Sequence, residues 1–170
     1  QSLSEGQIGQ LLWAAQGITS AEAFRTAPSA GALYALEIYV ATAAGVDRYI
    51  PEGHEIERLS TDDARPLLFR AAFEQEPILT ASAVFVIAVV YARLTGKYGK
   101  ARSPRYAQLE AGHAAQNLML QAVALGLGSV PIGAFDDEQV RGALSLPADQ
   151  LPVYLIPVGP ALGSDLAVRP

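Results

Sequence analysis

Lys97 and Tyr98 stand side by side between two glycines, in the segment Gly96-Lys97-Tyr98-Gly99-Lys100. An amine next to a phenol could form an acid–base pair. Free lysine and tyrosine titrate near ~10.4 and ~10, so the pair needs an environment that helps one of them react near neutrality. A solvated basic loop fits the same residues. A second segment is Arg25-Thr26-Ala27-Pro28-Ser29-Ala30-Gly31-Ala32-Leu33-Tyr34. Its small residues let backbone approach a flat ligand closely, and its amides with Ser29 could donate to an anion. Arg25 could hold a phosphate through two parallel N–H bonds. An ordinary turn before a strand has the same composition.

Two further segments hold polar groups where the chain would bury them. In Glu110-Ala111-Gly112-His113-Ala114-Ala115-Gln116-Asn117, small residues permit close helix packing, and buried polar side chains need partners. Glu110 and His113 are one helical turn apart and could share a face. The other histidine, His54, sits in a hairpin, so a metal site is rejected. A hydrogen-bonded core histidine is expected instead. In Val130-Pro131-Ile132-Gly133-Ala134-Phe135 the chain turns from a strand towards a helix. A free backbone N–H could face a ligand there; a plain connecting turn reads the same way.

These segments must be positioned by regular elements. Ser4 and Gln7 have capping-box spacing, followed by Ile8, Leu11, Leu12 and Ala15 at helical spacing and a stop at Gly17. Alternation from Leu36 to Val40 predicts a half-buried strand. Residues 49–59 read as a hairpin turning at Pro51-Glu52-Gly53. A helix follows Ser60, with Pro66 in its first turn or kinking it. Val84 to Val90 is β-branched and apolar, hence a central strand. Residues 96–103 read as a loop, and Ser103-Pro104 opens a long helix to Gly126. A short strand is predicted over 129–132 and a helix from the Asp136 cap to about Leu144. A last buried strand is predicted over 153–158. Hairpins mixed with helix crossovers give an α/β or α+β class with a mixed sheet. No repeat or linker divides residues 1–170, so one domain is expected.

Bulk composition narrows the function. The chain has 170 residues, 51% of them hydrophobic and 17% charged, with a net charge of -5. That excludes a disordered chain and gives no electrostatic reason for nucleic acid or an anionic membrane as partner. Cysteine is absent, which excludes disulfides, thiolate metal sites and cysteine nucleophiles. No signal-type segment opens the sequence, and a cytoplasmic protein is expected. The longest apolar run, from Ala81 to Ala92, falls short of the ~20 residues of a membrane helix. The mean hydropathy of +0.22 points to apolar surface covered by a partner subunit.

Taken in order, residues 11–19, 25–34, 96–99, 109–118 and 130–136 resemble the SagB-type dehydrogenase branch of the nitroreductase superfamily. The resemblance spans nearly the whole chain. It implies an α+β three-layer sandwich, with a mixed central sheet flanked by helices. It also implies an interlocked homodimer holding one FMN in each of two interface sites. Pro28, Ser29, Ala30 and Gly31 match the family's flavin-contacting loop. Pro131, Ile132, Gly133 and Ala134 match the segment that passes over the flavin, where the Gly133 N–H would face N5. Lys97 and Tyr98 match the pair assigned to catalysis in azoline-oxidising members. Lys97 would act as base and Tyr98 as proton relay or ring-orienting group. Arg25 carries over as a flavin or phosphate contact.

Three differences from the pattern stand out. Many nitroreductases have an Arg-Arg-Ser phosphate grip on a preceding helix, which this sequence does not hold, leaving Arg169 as an alternative. Ala32 replaces a common asparagine, and Ala35 a proline. The function implied is an FMN-dependent oxidoreductase that oxidises azoline rings in peptides or acts on a related small molecule. A NAD(P)H-dependent nitro or quinone reductase and a cofactor-free scaffold are the alternatives.

Overall fold

Ser4 fixes where the first helix begins. Its hydroxyl accepts from the Gln7 amide at 3.2 Å and its own amide donates to Gln7 Oε1 at 2.9 Å, a complete capping box. The helix α1 (Glu5–Gln16) follows and buries Leu11, Leu12 and Ala15. These features belong to a computed structural model that describes residues 2–161. Arg169 lies outside the described residues.

Among the described residues six strands form one sheet: β1 (Leu36–Thr42), β2 (Gly45–Ile50), β3 (Glu55–Ser60), β4 (Ala83–Val89), β5 (Leu127–Ser129) and β6 (Leu151–Pro160). Their spatial order is β3-β2-β1-β4-β6-β5. Every pairing is antiparallel, so the sheet is not the mixed one expected from the sequence. The long excursions between strands return the chain without making any neighbours parallel. β4 is buried at all seven positions, as its β-branched composition demands. The alternation in β1 predicts a half-buried strand, and the structure differs. β1 lies next to β4 and is covered on both faces, so its alternating residues enter two different cores.

Helices cover both faces and make three layers. On one face, α1 and the long α4 (Ala92–Ala124) pack over Ile38, Val40, Phe85 and Ile87. On the other, α2 (Arg65–Ala71), α3 (Pro77–Thr80) and α5 (Asp137–Leu144) pack over Tyr39, Val84, Val86 and Leu155. Pro66 sits in the first turn of α2, where its missing N–H costs nothing. Asp136 caps α5 by accepting from the Gln139 amide at 2.9 Å.

Two stretches depart from the sequence reading. Residues 96–103 are not a loop: α4 runs through them with a single break at Gly99, at φ 72° and ψ 162°. Glycine alone adopts that backbone cheaply, so one helical segment stops there and a second begins at once in a new direction. Residues 130–132 are not a strand; Ile132 makes only an isolated bridge with Leu155.

Candidate functional site

The segment from Pro28 to Tyr34 is a strained loop. It makes one 3-10 turn at Ala30–Ala32. Gly31, Ala32 and Tyr34 adopt left-handed backbone at φ 63°, 54° and 47°. Only glycine does so without cost, so surrounding contacts must hold the other two.

Helix α4 supplies those contacts. The Ser29 hydroxyl donates to Glu110 Oε2 at 2.6 Å and accepts from the Tyr34 amide at 2.9 Å. Asn117, two turns further along, donates to the Thr26 carbonyl at 3.1 Å. Arg93, before the Gly99 break, donates to the Tyr34 carbonyl at 2.9 Å and pairs with Glu37. Glu110 is buried, which raises its carboxyl above the ordinary range. The Ser29 hydroxyl, the Ala35 amide, Arg25 and Arg93 oppose that shift. The Ser29 hydrogen is committed to Glu110, so its O–H is not free for an anion; the expectation of a donating Ser29 side chain is corrected to that of a loop brace. His113, expected in the core, is exposed, because the face one turn from Glu110 points away from the sheet.

Lys97 and Tyr98 arrive at this loop from the first part of α4. A Cβ built on Gly31 would lie 2.7 Å from Lys97 Nζ and 2.9 Å from Tyr98 Oη. The amine and the phenol therefore meet over the one residue of the turn that has no side chain. The Tyr98 ring also lies 4.6 Å from that of Tyr106. Nothing in the sequence ties residue 31 to residue 97; the fold does.

The turn Pro131–Ala134 stands elsewhere, against α2 and α3. Gln75 donates to the Ala134 carbonyl at 3.0 Å, and the Asp136 amide donates to the Ala71 carbonyl at 2.8 Å. Ile132 is buried and anchors the turn through its bridge, while Pro131, Gly133 and Ala134 are exposed. A Cβ at Gly133 would meet nothing within 4 Å, and among the described residues its amide has no acceptor. Open backbone of this kind suits close approach by a flat group. Among the described residues no hydrogen bond links this turn to the loop 28–34 or to Lys97.

Arg25 faces a third place. Its guanidinium donates to Gln16 Oε1 at 3.0 Å and to Glu52 at 3.2 Å, and lies 4.6 Å from the centre of the Tyr34 ring. With Arg48 and Arg93 it lines a cavity of about 510 Å³ between the loop and β1–β2. No pattern along the chain signals this cavity, because Arg48 looks like any polar residue of a hairpin strand.

The class is that of a three-layer α+β sandwich with a braced glycine turn beneath an amine–phenol pair. The chain belongs to the Nitroreductase family, whose model matches residues 1–160. It is an oxidoreductase by that membership. A Methanocaldococcus jannaschii protein named as a nitroreductase is 43% identical over 159 residues, covering 90% of this chain and 79% of that one. A nitroreductase-type crystal structure from Ralstonia eutropha is 27% identical with a TM-score of 0.84, covering 96% of this chain and 76% of the other. A chain of the E. coli microcin synthetase McbBCD complex, with truncated pro-MccB17 bound, has a TM-score of 0.84 at 23% identity. That match covers 95% of this chain and 65% of the other, and speaks for the fold alone.

Proposed function

We propose that the protein is an FMN-dependent dehydrogenase of the SagB type, acting on azoline rings in a peptide or a related small substrate. The observation that carries this reading is the meeting of Lys97 Nζ and Tyr98 Oη over Gly31. A cofactor-free scaffold has no use for that convergence. The residues fit a flavin. The loop 28–31 offers partly exposed backbone with no bulky side chain, and Gly133 offers open space beside an amide that has no acceptor among the described residues. Bound FMN would supply the two-electron redox capacity that the side chains lack.

The chain's own groups do the rest. Ser29, locked between Glu110 and the Tyr34 amide, keeps the loop in its left-handed turn. Lys97 Nζ takes the proton from the ring carbon next to the one that loses its hydride. Tyr98 Oη holds or relays that proton and orients the ring. The amide of Gly133 would be free to donate to the edge of a bound flavin. Because loop and turn stand apart in one chain, the site is assembled between two copies. Leu109, Leu120 and Val123 form an exposed apolar stripe on α4 that suits a homodimer contact.

A NAD(P)H-dependent nitro or quinone reductase is the second reading, favoured by the name of the 43%-identical relative. One set of spectra separates the three cases. After incubation with FMN and desalting, the protein is expected to keep about one flavin per chain. Anaerobic NAD(P)H is expected to leave that flavin oxidised, whereas rapid bleaching would identify a reductase. A colourless protein would leave only the scaffold. Lys97→Ala is expected to retain flavin and lose azoline turnover at least 100-fold, the loss of a general base. Full activity in that variant would remove Lys97 from the mechanism.

A further inference from the structure

Lys97 Nζ and Tyr98 Oη meet over Gly31, yet neither makes a hydrogen bond among the described residues. Lys97 is exposed and Tyr98 half-buried. No polar contact therefore fixes the phenol, and its place is left to the packing of its ring. That ring lies 4.6 Å from the ring of Tyr106, with the planes inclined at 53°. A tilted contact at this separation is a favoured aromatic geometry. Lys97 Nζ stands 5.6 Å from the centre of the same Tyr98 ring, so a ring that shifts disturbs both members of the pair.

The contact exists because α4 breaks. Residues eight apart in an unbroken helix lie about 12 Å apart along its axis, with their side chains leaning the same way. Gly99, at φ 72° and ψ 162°, turns the segment that carries Tyr98 against the one that carries Tyr106. Ser103 secures the break, its hydroxyl donating to the Gly99 carbonyl at 2.8 Å. Beyond the break, Tyr106 and Glu110 are four residues apart and share a face of the helix. Glu110 holds Ser29 of the loop, and Tyr106 touches the phenol that meets the loop. One helical face thus fixes both halves of the convergence. The Tyr106 hydroxyl has no partner among the described residues, which leaves its ring as the part that acts.

We propose that Tyr106 is a positioning residue: its ring sets where the Tyr98 hydroxyl stands over Gly31. Its bearing on turnover rests on the reading of Lys97 and Tyr98 as the acid–base pair; the ring contact does not.

The test compares Tyr106→Phe, which keeps the ring, with Tyr106→Leu, which keeps apolar bulk alone. Tyr106→Met takes its place should the leucine variant fail to fold. The first readout needs no turnover. In the protein incubated with FMN, the ring-proton NMR signals of Tyr98, identified by their loss in Tyr98→Phe, are expected to shift in Tyr106→Leu and to hold in Tyr106→Phe. The second readout is azoline oxidation. Tyr106→Leu is expected to lower kcat about tenfold at unchanged KM, and Tyr106→Phe to stay within about twofold of wild type. In a Tyr98→Phe background the leucine change is expected to cost nothing further, because it acts through a hydroxyl already removed. Tyr98 signals that ignore the leucine change overturn the proposal. So does a Tyr106→Phe variant as slow as the leucine one, since the Tyr106 hydroxyl would then act itself. A leucine penalty of equal size in both backgrounds overturns it too. A wild-type protein that oxidises no azoline sinks the proposed function and leaves the NMR comparison to judge the ring contact.

Discussion

Gly31 sits at φ 63° with Lys97 Nζ and Tyr98 Oη crowded over its Cα. Two costs of a side chain can be separated there. Left-handed backbone costs a non-glycine residue about 1 kcal/mol, and Ala32 and Tyr34 already bear such strain nearby. The clash is with the ends of two flexible side chains, which can swing aside cheaply. Swinging aside, however, takes the amine and phenol off the position where they meet. Gly31→Ala is therefore expected to lower the melting temperature by only a few degrees while reducing turnover at least tenfold, at unchanged flavin content. Thermal melts and steady-state rates on the same preparation check this. A rate equal to wild type would mean that the two groups act from elsewhere.

At the scale of elements, α4 does two jobs that conflict. It packs Ala107, Ala111, Ala114 and Leu118 into the core, and it carries Glu110 into the same layer. Burial raises the Glu110 carboxyl above its unfolded value. A raised carboxyl stabilises the fold fully below the unfolded pKa, near 4.5, and that contribution is lost as pH rises through the folded value. Glu110→Gln keeps an acceptor for the Ser29 hydroxyl and removes the charge. It is expected to melt at or above wild type at pH 8, with the difference vanishing at pH 4. A variant that melts lower at pH 8 would mean that the Ser29 hydrogen bond to a charged acceptor outweighs the desolvation of the carboxylate. The break at Gly99 is the other decision of this element. It lets one helix deliver Lys97 to the loop and Glu110 to the loop's brace from different directions.

For the whole molecule, the question is what covers α4. Leu109, Leu120 and Val123 are more than half exposed and recur on one side of the helix with His113 and Gln116. An apolar stripe on a long surface helix is the anatomy of an interface core. Leu120→Glu is expected to convert a dimer into a monomer by light scattering, weakening association at least tenfold, and to lose FMN on desalting. A variant that becomes monomeric but keeps its flavin would place the whole cofactor site in one chain. The two apolar faces of the sheet were readable in the alternation of β1 and β4. The antiparallel sense of every pairing was not, since a strand's own pattern states which faces are apolar and not which neighbour it joins.

The sequence by itself determined what is local. The Ser4–Gln7 box, the Asp136 cap, the Pro51–Gly53 hairpin and the apolar β4 are set by hydrogen bonds and burial patterns within a few residues. It also carried the resemblance to the nitroreductase family, which the match over residues 1–160 shows. Only the tertiary structure decided which segments meet. It joined Ser29 to Glu110 across 81 residues and Gly31 to Lys97, turned His113 outward, and enclosed Arg25, Arg48 and Arg93 around one cavity. Such contacts follow from how layers pack around a shared sheet, and no periodicity along the chain records that arrangement.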